Sequence, residues 1–491
     1  MNYSVNKGLF IVLFYLSALQ LNAQNDAHYW THQYGAKGLL LNGAVIASTE
    51  DETAIFYNPG ALGNGEEFGV SLTFFTPTFS VLTTRDYLGA GSEVKDNGFG
   101  FAPGFGAIGF KPFRDEKLRA AITSFTRFRS NVRLRSREVG VVENQSELLF
   151  LGDLEFQRNM SERWFGFALA YRFSDHFSLG VSQFLTFHSE STDLSVRKEI
   201  VHRDSPFDLV QGWRSNFRYG FSTSGGMLTK VGFSAGQDDV KIGLTVTTPT
   251  YYTRGSSASY DSDDQRVFAD GTTKLVSNLT DAELQAYKTP WSIGMGVDIQ
   301  SGDARISFSA EYFQKIKLYT IIDDVDDPFD GLANGGNEQM TSVRTENRSV
   351  LNVAIGLQRK YSEKSTLILG FRTDRNQRLI DQDLETLSFL STSPSIFHIS
   401  CGGFFTFDKN QFSLGLDYAF GQKKTDGRLV DLSNITPDNL FSFSEDGSVT
   451  ARYQSITFIM TYDFILKSYK NLRERRKQKK KEKEIIENNN G

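Results

Sequence analysis

The chain has 491 residues, a formal net charge of −5, 13% aromatic residues and a single cysteine, Cys401, and its mean hydropathy is −0.33. Past the N-terminus no stretch approaches the roughly 20 unbroken apolar residues that a membrane helix needs, which excludes a helical membrane protein. One cysteine forms no internal disulfide, which excludes a disulfide-stapled scaffold.

Residues 1–23 carry Lys7, the apolar run "GLFIVLFYLSAL" and the small-residue end "LNA", the pattern of a secretory signal cleaved after Ala23. Residues 24–66 lack the two-residue alternation that follows, yet contain "LLLNGAVIAS" and "EDETAIFYNPGALG", too apolar to hang free in water. From there to residue 466 the chain alternates. In "WFGFALAYRF" Phe165, Phe167, Leu169, Tyr171 and Phe173 oppose Gly166, Ala168 and Ala170, and in "QFSLGLDYAF" Phe412, Leu414, Leu416, Tyr418 and Phe420 share a face. The same pattern runs through "ARISFSAEY" and "QSITFIMTYDF".

Fourteen strands are predicted, near 67–80, 98–110, 118–130, 161–173, 177–187, 213–235, 240–253, 290–300, 304–317, 350–361, 365–373, 395–407, 411–421 and 450–465. The short links "KPFRDEK", "SDH", "AGQDD", "SGD", "SEK" and "DKN" all follow even-numbered strands, and the links after odd-numbered ones, such as 131–160, 254–289, 318–349 and 422–449, are long. Short turns at one end and long loops at the other distinguish an outer-membrane barrel from a soluble β-protein. The expected fold is therefore all-β, a 14-stranded antiparallel transmembrane β-barrel in the outer membrane, with residues 24–66 as a plug in a lumen that water would otherwise fill. "TDAELQAYK" (280–288) reads as a short helix within its loop.

The second strand, "GFGFAPGFGAIGF", sets Gly98, Gly100, Ala102, Gly104 and Gly106 on one face, a side-chain-poor stripe that admits another backbone or an acyl chain. Pro103 lacks the N–H that a ladder needs, so a break is expected there. Gly100, Ala102, Pro103, Gly104 and Gly106 are candidates for a lateral exit; the alternative is that they only curve the strand around the plug. "RFRSNVRLRSR" places Arg127, Arg129, Arg133 and Arg135 at the outer end of the third strand, as anion contacts or as an ordinary charged rim. The tail, 467–491, holds nine Lys/Arg against four Glu in its last 22 residues, a solvated or surface-associating periplasmic extension in an exported chain and no nucleic-acid arm. Six scattered His and the lack of a Gly-x-Ser-x-Gly elbow point to no enzyme, no metal site and no cofactor.

The stretch "ASTEDETAIFYNPGALG" resembles the hatch motif of the FadL/TodX family of outer-membrane transport proteins, with weaker likenesses in "KIGLTVTTPTYYTRG", "TPWSIGMGVDI" and "TLILGFRTD". The departures are Gly60, where the family usually has Ala, and the basic tail. The resemblance implies a monomer that passes long-chain fatty acids or other hydrophobic small molecules from an outer groove to a pocket beside the hatch, and on through a gap in the wall into outer-membrane lipid. It makes Ile55, Phe56, Tyr57, Asn58, Pro59 and Gly60 the hatch residues, with Asn58 and Pro59 at the turn. Some proteins resembling this family are instead barrel components of protein secretion or surface assembly, which stands as the alternative.

Overall fold

The computed structural model describes residues 28–49, 51–65, 68–73, 76–102, 104–115, 117–237, 239–252, 257–280, 284, 286–322, 343–378, 394–407, 410–426, 430–441 and 447–466. The expected signal sequence, Pro103 and the basic tail lie outside them. Two short helices, α1 (Gly35–Leu40) and α2 (Ala54–Tyr57), precede the strands, and a 3-10 turn covers Ala61–Asn64. The strands are β1 (Phe68–Thr73), β2 (Thr76–Arg85), β3 (Glu93–Ala102), β4 (Phe105–Phe110), β5 (Leu118–Val142), β6 (Gln145–Ser174), β7 (Phe177–His202) and β8 (Ser205–Gly236). They continue with β9 (Val240–Thr247), β10 (Tyr251–Tyr252), β11 (Ser257–Val267), β12 (Thr273–Thr280), β13 (Ser292–Ser301), β14 (Ala304–Phe313), β15 (Ile316–Ile322) and β16 (Val343–Asn347). The last five are β17 (Val350–Ser362), β18 (Ser365–Asp374), β19 (Ile396–Phe407), β20 (Asn410–Asp426) and β21 (Ser448–Leu466).

All pairings are antiparallel. β15 and β16 pair with each other, and the rest belong to one sheet in which β1 and β2 pair with the last strand, β21, and also with β4 and β3. Each of the first two predicted strands is described as two segments, β1 with β2 and β3 with β4, and Thr73 faces Phe105 while Thr76 faces Ala102. The short links fall where expected, and β13, β14 and β18 are ten residues long, the length a tilted strand needs to cross a bilayer. On the outer face, Phe167, Leu185, Val231, Ile293, Ile355, Leu369, Ile399, Leu416 and Phe458 are all exposed in one continuous apolar band.

Two expectations about loops are corrected. Residues 131–160 are not a loop: β5 and β6 run on as a hairpin that turns at Glu143–Asn144, and β7 and β8 do the same around Arg203–Asp204. The reason is a change of polarity along unbroken strands. On β6 the even-numbered residues face inward throughout; low on the strand these are Gly166, Ala168 and Ala170, but above Met160 they are Phe156, Leu154, Phe150 and Leu148, with Glu155 and Asp153 outward. Greasy-out becomes greasy-in, and the upper strands enclose a second apolar core with Val196, Ile200, Trp213 and Phe217, covered by Val430, Leu432, Ile435 and Leu440. Within 254–289, β11 and β12 form a hairpin, and the described part of "TDAELQAYK" is not helical: Leu284 bridges to Ile322.

Residues 28–65 are almost wholly buried against the inner face. Wall side chains hold their backbone: Ser182 Oγ donates to Ile55 O at 2.8 Å, Ser178 Oγ to Gly60 O at 2.7 Å and Ser400 Oγ to Leu40 O at 2.7 Å, while Trp30 N donates to Asp374 Oδ1 at 3.1 Å. Glycines make the approach close. Gly180 pairs with Gly232 and Gly243 with Gly296 across neighbouring strands, and a Cβ on Gly232 would sit 2.7 Å from Gly60 N and one on Gly296 2.8 Å from Ala47 N.

Gly232→Ala forces backbone against backbone and should cost about 1–3 kcal/mol, read as a lower unfolding temperature in detergent and faster proteolysis within residues 28–65. Gly104→Ala, whose Cβ meets only Thr73 O at 3.6 Å, is the control and should match the parent. Equal behaviour of the two variants would contradict the close seating.

Candidate functional site

The hatch residues fall together. Ala54–Tyr57 form α2, which ends because Asn58 turns extended (φ −153°) ahead of Pro59. Asn58 is fully buried; its Nδ2 donates to Ile46 O and Phe233 O, both at 2.9 Å, and its Oδ1 accepts from Gly60 N at 3.0 Å. One amide thus ties two parts of the N-terminal segment to β8. Gly60 has φ −63°, so the turn makes no use of a left-handed glycine; glycine is needed because its Cα lies against Gly232 O, which a Cβ would meet at 2.6 Å. Tyr57 Oη accepts from Tyr34 N at 2.7 Å and donates to Gln33 Oε1 at 3.0 Å, and Ile55 is fully buried.

Phe56 turns the other way. Its ring meets Tyr34, Phe125 and Trp164 and helps line a cavity of about 150 Å³ between residues 28–57 and the inner faces of β5–β8, β14 and β15. The aromatic lining includes Tyr29, Trp30, Phe128, Trp164, Tyr287 and Phe313. Six cationic residues share the wall with three carboxylates, Glu162, Glu190 and Glu311. Each carboxylate already has partners. Arg158 donates to Glu190 Oε1 from Nε at 3.0 Å and Nη2 at 2.6 Å, joined by Tyr219 Oη at 2.8 Å. Glu311 accepts from Trp30 Nε1 at 2.7 Å and Ser292 Oγ at 2.6 Å, and Glu162 from Trp164 Nε1 at 2.9 Å. Burial, aided by the nearby Arg127, Arg372 and His398, pushes the His32 imidazole down to about 3, so this lining residue is neutral at pH 7.

The four candidate arginines part company at a β-bulge between Thr126 and Phe128. Below it odd-numbered residues of β5 face inward, as Ala121 and Phe125 do; above it Ser130 and Leu134 are the buried ones. Arg127 therefore enters the cavity, donating to Tyr29 O and lying 5.9 Å from the Trp164 ring centre, while Arg129 is half-buried. Arg133 and Arg135 face outward and share Glu155, beside an Arg137–Asp153 pair at 2.7 Å. They form no common anion site with Arg127 and belong to a charged, ion-paired outer wall.

Of the exit candidates, Gly104 is exposed and Gly100 and Gly106 are buried. β4 pairs with β5 over Phe105–Phe110, but among the described residues β3 pairs with β2 alone, and β5 above Thr126 pairs with β6. The wall therefore has a seam between β3 and β5 that begins at Gly104. Sequence reasoning missed Arg158, Glu190, Lys230 and Glu311. Their signal was a charged residue at an inward position of an alternating strand, as Lys230 in "TKVGFSAG" and Glu311 in "SFSAEYF".

Neither a sequence-family profile nor any curated protein matches the chain. Solved structures do. A Pseudomonas aeruginosa FadL homologue superposes with a TM-score of 0.56 at 11% identity, covering 89% of this chain and 100% of its own. The Pseudomonas putida toluene transporter TodX gives 0.54 at 12%, covering 89% and 99%, and the Ralstonia pickettii toluene transporter TbuX 0.50 at 12%, covering 88% and 98%. At such identities the fold is what is shared: the chain has the FadL/TodX-type fold that "IFYNPG" led us to expect.

Proposed function

We propose that the chain is an outer-membrane channel for hydrophobic small molecules, with long-chain fatty acids among the candidates, working by passive diffusion. In this reading the fourteen strands close into a barrel, residues 28–65 are its plug, and ligand leaves sideways between β3 and β5 into lipid. The observation that carries the reading is the combination of an apolar band outside with an aromatic-lined cavity directly on the hatch residues. A band of exposed Leu, Ile and Phe across β6, β7, β9, β13, β14 and β17–β21 has no place in water. The cavity, between the second apolar core and the N-terminal segment, is a place where a small molecule fits against Phe56 and Trp164.

Support for lateral exit comes from the seam between β3 and β5, bordered on the β3 side by Phe99, which pairs with Phe79 of β2; the two are 53% and 51% exposed on the outer face. A ligand leaving there passes from protein to acyl chains without crossing water. Passage of polypeptide through the bore, as the secretion alternative would ask, is opposed by the dense packing of residues 28–65.

Two outcomes test the reading. In planar bilayers the intact protein should be electrically quiet, and deletion of residues 35–63 should open steady ion conductance; a quiet deletion variant that still inserts and folds would contradict the plug. Asp96 and Arg133 meet across the seam. A disulfide between Asp96→Cys and Arg133→Cys, in a Cys401→Ser background, should cut uptake of a labelled hydrophobic substrate at least tenfold, and reductant should restore it. Parental uptake with the bond formed would rule out this exit.

A further inference from the structure

The cavity lining is more charged than a neutral hydrocarbon needs, and the charge is one-sided. A pocket for toluene-like molecules asks for apolar and aromatic walls with few polar groups. Of the three carboxylates, Glu190 is ion-paired with Arg158 and also accepts from Tyr219, Glu311 accepts from Trp30 and Ser292, and Glu162 accepts from Trp164. Two of the cations make no hydrogen bond to a carboxylate among the described residues, although Glu311 lies near Lys230. Lys230, 7% exposed, spends its Nζ on the carbonyl of Phe56 at 2.8 Å and lies 5.2 Å from that ring's centre. Arg127 spends Nη2 on Tyr29 O, and its Nη1 is buried with no hydrogen-bond partner among the described residues. A third, Lys288, lies over Tyr319 at 4.8 Å and donates its backbone N–H, rather than its ammonium, to Tyr319 Oη.

A desolvated cationic group with no hydrogen-bonded carboxylate is costly, and a neutral ligand that displaced water from it would raise that cost, whereas an anion would lower it. Size narrows the class further. A cavity of about 150 Å³ is one in which a single benzene ring is known to fit, and an extended sixteen-carbon chain is far larger. The aromatic walls, with Trp30 and Trp164 each fixed by an indole hydrogen bond to a carboxylate, suit the faces of a ring.

We propose that this cavity selects compact aromatic carboxylates, the ring seated among Trp30, Phe56, Phe128 and Trp164 and the carboxylate on Arg127 and Lys230. This rests on the channel reading and names its substrate class; it differs from both a neutral hydrocarbon and a long-chain acid. Arg127 is suited to the task because its Nη1 donates to a carboxylate lying in the guanidinium plane, and Lys230 supplies a point charge from β8.

The test is a binding titration of the purified full-length protein in detergent, followed by tryptophan fluorescence, since Trp30 and Trp164 both line the cavity. Benzoate, toluene and palmitate are the probes. Benzoate should bind at least tenfold more tightly than toluene and more tightly than palmitate, and Arg127→Met and Lys230→Met should each weaken benzoate at least tenfold while leaving toluene within twofold. Lys230→Arg should retain benzoate binding. Toluene binding as well as benzoate would overturn the anion preference and leave the channel reading standing; palmitate binding best would overturn the size preference and also leave it standing. Failure of all three probes to bind would overturn this inference and the channel reading together. The wild-type ratios decide the matter even where a variant folds poorly.

Discussion

Everything inside this molecule depends on how closely two backbones can approach. On the inner face, glycines stand opposite glycines across neighbouring strands, Gly180 with Gly232, Gly243 with Gly296, Gly356 with Gly370 and Gly402 with Gly415. Glycine weakens a strand by its backbone entropy and by leaving nothing to pack. The compensation is that peptide groups of residues 40–60 reach the wall directly, where Ser178, Ser182, Ser309 and Ser400 meet them with hydroxyls. Buried carbonyls and amides in an irregular segment need such partners, because no helix or ladder supplies them. Asn58 serves the same end from the other side, satisfying Ile46 O and Phe233 O at once.

A second constraint acts along the height of the wall. The lower strands turn Phe, Leu and Ile outward and small residues inward; the upper parts of β5–β8 reverse this without breaking register on β6. On the channel reading, the two arrangements answer two surroundings, hydrocarbon below and water above. Where they meet, neither small residues nor a packed apolar core fills the bore, and the cavity occupies that level. Arg127, Arg158, Glu162, Glu190 and Lys230 are gathered there, too long for the glycine zone and too polar for the core above.

Much of this was legible in the residues. Period-2 alternation in "QFSLGLDYAF" and its like gave the strands that carry the apolar band, and the parity of short links gave their order. The hatch stretch marked the buried segment, while the break expected at Pro103 lies outside the described residues. The upper parts of β5–β7 read as loops because greasy-out alternation stops there, while "ELLFLGDLEF" alternates with its apolar residues inward. The bulge beside Arg127 was invisible, since a one-residue slip leaves no mark in composition yet decides which arginine enters the lumen. The cavity's charges sit singly, one to a strand, and only the pairing of strands brings Arg158 to Glu190.

The account stands on the seating of the N-terminal segment against the glycine-lined face, and amide hydrogen exchange of residues 35–63 in the bilayer-reconstituted protein measures that seating directly. The account predicts exchange as slow as in β13 and β18, with Ile55–Gly60 among the most protected amides. Exchange of those amides within seconds, beside slowly exchanging strands, would contradict it.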